Sequence, residues 1–403
     1  MAAREGLRLR LLFVDSSRNG WGTETHLIEL VKAVYAAGHD VRVVARRGSV
    51  VDTLLAETSV PRISTPFRGG ADPRGLWAVI RTVKTFDPDW IVTNRCKLYW
   101  PMIAIGLLLD VRVALFRHLT YLRRWNQRRL LTRLADRFYV VSQFAQDVLV
   151  AGGAPRERLT PLYNPIDTLR FQPSPPARRR SLRAQLGLRD EDLVVGFVGR
   201  IEESKGVVPL REAMNTLMHR MPTLKMLWVG DGAAAPRTRA FAAATGHGDR
   251  HLFAGWQPQI ERYMATLDVL IAPSIEPETF GRVVAEAQAC GVPVIASGAG
   301  GLKEAFLPGG TGLLVERVDT ETLIIAIERL IRDRALRTRL AERGPEFVGN
   351  RFAADKVAAA FVRHLAAMPL PAACDTGIEH AQPKHPVAVR DRALAKSLVT
   401  SDL

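Results

Sequence analysis

The sequence is short of cysteine, of long apolar runs and of acidic charge, and each shortage removes a class of protein. Only three cysteines occur in 403 residues: Cys96, Cys290 and Cys374. They lie far apart and form no C-x-x-C pair, so neither a disulfide framework nor a zinc site is expected, and a reducing cytosol suits them. The longest apolar stretch, residues 100–109, stops at Asp110 and is about half of what a bilayer crossing needs. The opening MAAREGLRLRLLFVD is basic, but its apolar run ends at Asp15, too early for a signal peptide. A cytoplasmic protein is expected, with any membrane contact peripheral and at the inner face of the cytoplasmic membrane. Asp and Glu number 41 against 56 Lys and Arg, a balance of +15. That surplus suits an acidic partner: a nucleotide, a nucleic acid or an anionic membrane. Nucleic acid fits worst, because no strand face interleaves aromatic and basic residues.

What is present is ordinary globular material. Hydrophobic residues at 47% and charged residues at 24% exclude disorder throughout, and the length suffices for two domains with their own cores. Short β-rich runs alternate with helical segments. Strands are expected at residues 10–15, 40–45, 62–65, 90–94, 111–116 and 138–141, with a first helix at 24–37. The texture then changes to RFQPSPPARRRSLRAQLGLRD, a proline-rich, basic stretch that reads as a linker over residues 169–192. Alternation resumes with strands at 193–198, 224–229, 251–254, 269–272, 293–296 and 313–315, and helices at 207–219, 237–244, from 281, and 320–340. The fold class is therefore α/β, with two Rossmann-like doubly wound domains, residues 1–168 and 193–345, facing each other across a cleft. A helix in residues 346–367 is expected to cross back to the first domain. The tail, 368–403, reads as disordered and without assigned function.

The second domain is organised around DVLIAPSIEPETFGRVVAEAQACGVPVIASGAGG, residues 268–301. It reads as a βαβ unit with Glu278 in the loop before the helix and Glu286 inside it. The amides of Phe280, Gly281, Arg282 and Val283, with the positive end of the helix dipole, suit a phosphate-sized anion. Carboxylates repel phosphate, so the pair makes better sense holding sugar hydroxyls on either side of a diphosphate. A glutamate near a helix start is also favoured by the dipole alone. Upstream, LVVGFVGRIEESKG ends a strand at Gly199 and brings Arg200 and Lys205 to its carboxyl end, where ligands of open α/β sheets bind. Two fixed cations can neutralise a diphosphate leaving group where other enzymes use a metal ion, so no metal and no cofactor is expected.

In the first domain the loop DSSRNGWGTETHL carries Gly20 and Gly22, which let backbone approach a phosphate or acceptor or serve plain turn chemistry. His118 closes the strand at 111–116, again at a carboxyl end. Two patterns are decoys. Gly230-Asp231-Gly232 with Ala235 mimics a dinucleotide fingerprint, but the acid that should bind ribose, Asp249, precedes its strand. Asp87-Pro88-Asp89 lies at the wrong end of the sheet for a metal and reads as a turn. The segment at residues 121–137 presents an apolar stripe for the core and an arginine face that suits an anionic membrane.

Together these residues resemble the glycosyl transferases group 1, retaining enzymes of the two-domain GT-B fold, over about residues 8–367. The most specific part is the E-x7-E pair, Glu278 and Glu286, supported by GRIEESKG, WVGDG, LYNPID and GGTGLLV. The resemblance implies that Arg200 and Lys205 bind the donor diphosphate, Glu286 the ribose and Glu278 the transferred sugar. It puts the amides around Phe280, Gly281, Arg282 and Val283 on the distal phosphate, and Gly230, Gly232 and Trp256 beside the nucleobase. His118 matches a histidine near the reacting sugar, and Gly20 and Gly22 the Gly-rich first loop. Three departures stand out: Arg282 where an apolar residue is common, Gly-Trp-Gly in place of adjacent glycines, and Arg117 before the histidine. The implied activity moves a sugar from a nucleotide-diphosphate sugar to an acceptor hydroxyl of an envelope glycan or glycolipid. The alternatives are an idle GT-B protein that binds the donor, and a donor hydrolase or epimerase.

Overall fold

The computed structural model describes residues 8–18, 20, 22–119 and 125–368. The tail expected to be disordered, from residue 369 on, and part of the basic segment at 121–137 lie outside the described residues. The chain forms two compact units. One takes residues up to 141, 146–162 and from 358 onward; the other takes 142–145 and 163–357.

The first unit holds a seven-stranded parallel sheet, β1 Arg10–Asp15, β2 Asp40–Arg46, β3 Arg62–Thr65, β4 Trp90–Thr93, β5 Arg112–Arg117, β6 Arg137–Val140 and β7 Leu159–Pro161, in the order β3-β2-β1-β4-β5-β6-β7. Leu11, Leu12, Phe13 and Val14 are all fully buried, as continuous apolar runs must be when helices cover both faces. Its core includes Phe116 stacked on Tyr139 at 4.7 Å. Phe361, from the last helix, Ala354–Ala366, lies 5.5 Å from Phe116 and 5.4 Å from Tyr139.

The second unit holds a six-stranded parallel sheet, β8 Leu193–Val198, β9 Leu224–Val229, β10 His251–Gly255, β11 Val269–Ala272, β12 Val294–Ser297 and β13 Gly312–Val315, ordered β10-β9-β8-β11-β12-β13. Its helices Val207–Arg220 and Thr320–Arg332 bury Met214, Leu217, Leu323 and Ile327 against Trp228, Met226 and Ile271. In both sheets chain order reverses next to the first strand, at β1/β4 and at β8/β11. Such a switch point opens a crevice at the carboxyl ends, because the flanking crossovers leave on opposite faces.

Beyond shifts of one or two residues at element ends, three features differ from expectation. Strand β7 is three residues long, too short for periodicity to reveal. The helix expected at 320–340 is two, Thr320–Arg332 and Arg334–Arg351, because Asp333 between them caps the second: its Oδ1 accepts the Leu336 amide at 2.8 Å. The stretch read as a linker carries a helix, Pro176–Gln185, packed within the second unit. Proline at its first turn starts the helix rather than breaking it. Arg179 and Arg183 then fasten it to Asp268, at 2.8 and 3.4 Å, a pairing too distant in sequence for local texture to betray.

Candidate functional site

The residues expected to form the donor site lie in loops beyond the carboxyl ends of the strands and in the helix after β11, around the β8/β11 switch point. Backbone hydrogen bonds tie the loops beyond the strand ends to one another. Past β8, the Gly199 amide donates to Val229 O at 2.9 Å and the Ile201 amide to Asp231 O at 3.0 Å; past β9, Gly230 donates to Gly255 O at 2.7 Å. Across the switch, Ile275 donates to Ser204 O at 2.9 Å, and Glu278 exchanges bonds with the loop after β12 through Ala299 O and the Gly301 amide. These bonds leave little room. Gly206 has φ +73°, and a Cβ there would meet Pro273 O at 1.9 Å. Thus the close approach of the β8 and β11 loops is written into one glycine.

Lys205 and Glu278 meet across that approach: Nζ lies 3.1 Å from Oε1, and both side chains are about three-quarters buried. Ser274, buried just after β11, donates its hydroxyl to the same Oε1. Its own carbonyl accepts from Ser297 Oγ at 2.7 Å. Sequence reasoning missed Ser274; its signal is the Ala-Pro-Ser that leaves β11. Arg200 is more open, with its side chain 57% exposed and an ion pair to Glu202 at 2.8 Å. Lys205 and Glu278 are thus brought together, whereas Arg200 stands in the neighbouring loop.

The helix that follows runs Arg282–Ala289, with Gly281 as its N-cap at φ +92° and no side chain capping it. Phe280 and Gly281 therefore precede the helix, and of the four predicted residues Arg282 and Val283 form its first turn. Phe280 is buried, its ring 5.6 Å from Tyr163 and 5.1 Å from Phe352, so it anchors the turn from beneath. Glu286 is no surface charge: it is 4% exposed. Arg282, one turn back, donates Nε to its Oε1 at 2.7 Å and Nη1 to Pro165 O at 3.0 Å. The arginine that departs from the common apolar residue is therefore the ion-pair partner of the acid assigned to ribose.

Gly230, at φ +131°, and Gly232 border the same end of the sheet, beside Gly255 and the exposed Trp256. Both would press a Cβ on backbone of the β8 loop, at Gly199 O and Ile201 O. Asp231 is spent locally, accepting the Gly232 amide at 2.8 Å.

In the first unit the β1/β4 switch gathers other residues. Gly22 opens the helix Gly22–Ala36; a Cβ on Gly20 would run into Val50, whereas one on Gly22 would meet nothing within 4 Å. Glu24, buried in the first turn, pairs with Arg95 at 2.8 Å, and Asn94 donates to Thr23 O at 2.8 Å, so the loops after β1 and β4 are joined. Asp15, at the end of β1, is fully buried and its carboxyl is pushed up by that burial although Ser17 donates to it. His118 follows β5 with its ring edge-on to His26 at 4.6 Å. Asp15, Glu24 and His26 were not expected to matter. The decoy acid Asp89 accepts the Arg10 amide at 2.7 Å, and Asp87 is a left-handed helix cap. Among the described residues no group of three His, Cys, Asp or Glu is placed to hold a metal ion, and no helix is long and apolar enough to cross a membrane.

Comparison with known proteins follows the same division. Residues 178–347 match the family model of Glycosyl transferases group 1, and residues 21–170 that of Glycosyltransferase Family 4. Over residues 178–347 the chain is thus similar to the glycosyl transferases group 1. Within the wider set of relatives, it is 34% identical over 187 residues to a lipopolysaccharide core biosynthesis glycosyltransferase of Rhizobium meliloti, covering 46% of this chain and 54% of that one. It is 35% identical over 227 residues to a D-inositol 3-phosphate glycosyltransferase of Rhodococcus jostii, covering 54% and 49%. The chain thus spans about half the length of the curated relatives it matches. In structure it is similar to Anabaena HepE, crystallised with UDP and glucose, with a TM-score of 0.77 over 90% of this chain and all of that one, at 24% identity. At that identity the likeness is one of fold, the GT-B architecture of two Rossmann-like sheets.

Proposed function

We propose that the chain is a retaining glycosyltransferase that moves a sugar from a nucleoside diphosphate sugar to an acceptor hydroxyl in envelope glycan or glycolipid synthesis. The observation that carries the reading is the meeting of Lys205 and Glu278 at the switch point, followed by a helix that buries Glu286 one turn in. An ammonium and two carboxylates so placed suit a ligand with a central diphosphate and hydroxyls at both ends. Lys205 turns from Glu278 to the distal phosphate when the donor enters, which frees Glu278 for the hydroxyls of the transferred sugar. Arg200 supplies the second cation, and the amides of Arg282 and Val283 face the same anion with the helix dipole behind them. Glu286, held by Arg282, takes the ribose hydroxyls, and the Gly230, Gly232 and Trp256 loops border the base.

In the reaction the anomeric C–O bond to the diphosphate breaks and a bond to the acceptor oxygen forms on the same face. The departing phosphate oxygen takes the acceptor's proton. Negative charge grows on that phosphate, so cations fixed beforehand stabilise the transition state more than the ground state. His118, Gly20 and Gly22 are the residues of the first unit assigned to the sugar and acceptor. The protein works in the cytoplasm, with peripheral contact to an anionic membrane surface supported by its +15 charge.

The test is calorimetric titration of UDP, GDP and ADP in the presence of chelator, on the wild type and on Arg200→Ala and Glu286→Ala. Metal-free binding of one nucleotide, weakened about tenfold or more in both variants, is expected. No binding of any of the three overturns the reading in favour of an idle scaffold. Product analysis without acceptor separates a transferase from a donor hydrolase.

A further inference from the structure

The second unit has another concavity, at the opposite end of its sheet. A cavity of about 550 Å³ opens beside Leu193, Asp268 and Pro293, at the amino ends of β8, β11 and β12. It falls within the roughly 300–1,000 Å³ of small-molecule sites. Five arginines line it: Arg179, Arg180 and Arg183 from the helix Pro176–Gln185, and Arg334 and Arg337 from the helix Arg334–Arg351.

Their charge is only partly met. Asp268 accepts from Arg179 and Arg183 and also from the Val194 amide at 2.7 Å, which leaves it little capacity for more. Three further acids stand on the wall: Glu191 and Asp192 are drawn to Arg189, at 3.2 and 3.6 Å, and Asp190 is exposed, so the five arginines outnumber the acids by one. Arg180 and Arg334 have no ion-pair partner among the described residues, and both are exposed at the cavity. Deeper in, Arg183 is 4% exposed and its Nε has no hydrogen-bond acceptor. A buried N–H without an acceptor is costly, so positive charge on this wall is not fully met from within the chain. Burial holds Arg179 below its usual value even with Asp268 beside it, and Arg183 and Arg337 add like-charge pressure.

We infer that this cavity is a binding site for a small phosphate-bearing anion, separate from the donor site. Guanidinium forks on two facing helices match phosphate oxygens in pairs. The donor residues Arg200, Lys205 and Glu278 lie beyond the carboxyl ends of the same strands, so one ligand does not reach both places.

The experiment is calorimetry of inorganic diphosphate binding to the full chain at about 0.15 M salt, where surface attraction is largely screened. Three proteins are compared: wild type, Arg180→Glu/Arg334→Glu and Arg200→Ala/Lys205→Ala. The wild type is expected to take up diphosphate, the first variant to lose at least tenfold in affinity for this event, and the second to keep it. Thr338→Glu, at another exposed position on the wall, is expected to weaken binding in the same direction and covers the case that the double variant misfolds. Equal affinity in wild type and Arg180→Glu/Arg334→Glu overturns the proposal. So does loss confined to Arg200→Ala/Lys205→Ala, or no uptake by the wild type at millimolar diphosphate.

Discussion

Arg282 and Glu286 are enclosed almost completely, their side chains 15% and 6% exposed. Breaking such a buried pair by removing one partner typically costs about 3–5 kcal/mol. Arg282→Ala should therefore lower stability by roughly 3 kcal/mol in urea unfolding, and Glu286→Gln in the same chain should recover part of it. His251 gives a second test. Its Nδ1 accepts from Trp228 Nε1 at 3.2 Å, which fixes the neutral ring, and burial pulls its pKa down from 6.5 to about 4. Between those values the unfolded chain binds a proton that the folded one refuses, so stability present at pH 7 is lost as pH falls. The slope approaches about 1.4 kcal/mol per unit below pH 6.5 and flattens near pH 4. Melting temperatures from pH 7 to 4.5 check it, and in His251→Asn this share of the slope should vanish. At this scale the sequence announced Glu278 and Glu286 through their spacing. It did not announce Ser274 or the Arg282 pairing, because only the folded helix and loop decide which atoms come within reach.

Among the elements, the loops after β8 and β11 depend on Gly206 more than on any side chain named for chemistry. Gly206→Ala should cost well over 2 kcal/mol, since its Cβ would sit 1.9 Å from a carbonyl, and it should weaken nucleotide binding as Lys205 moves. Gly246→Ala is the control: φ is likewise +73°, but a Cβ meets nothing within 4 Å, so only the backbone term of about 1 kcal/mol is expected. Denaturant titration of the two variants separates crowding from strain. Most strands were legible, because buried parallel strands are uninterrupted apolar runs, and β1, β3, β8, β9 and β11 carry the expected bounds. The helix Pro176–Gln185 was not: five of its ten residues are Arg or Ser, and what holds it is Asp268, more than eighty residues away.

The molecule as a whole carries +15, which bears on where it works. Vesicles rich in anionic lipid should retain the protein at about 0.05 M salt and release it near 0.5 M, as the screening length shrinks. Sedimentation against neutral vesicles checks this, and equal binding to both would rule out an electrostatic membrane contact.

The first unit is not continuous in sequence: it is finished by residues from 358 on, after the whole of 163–357 has been made. Phe361 and Leu365 are fully buried, and Phe361 stands 6.3 Å from Phe13 on the first strand. A nascent chain thus exposes the ring-sized gap beside Phe13, Phe116 and Tyr139 until Phe361 has been made. The first unit is completed only after residues 163–357 have been made. A chain stopped after residue 357 should accumulate as a chaperone-bound or protease-sensitive species, whatever the state of its second half.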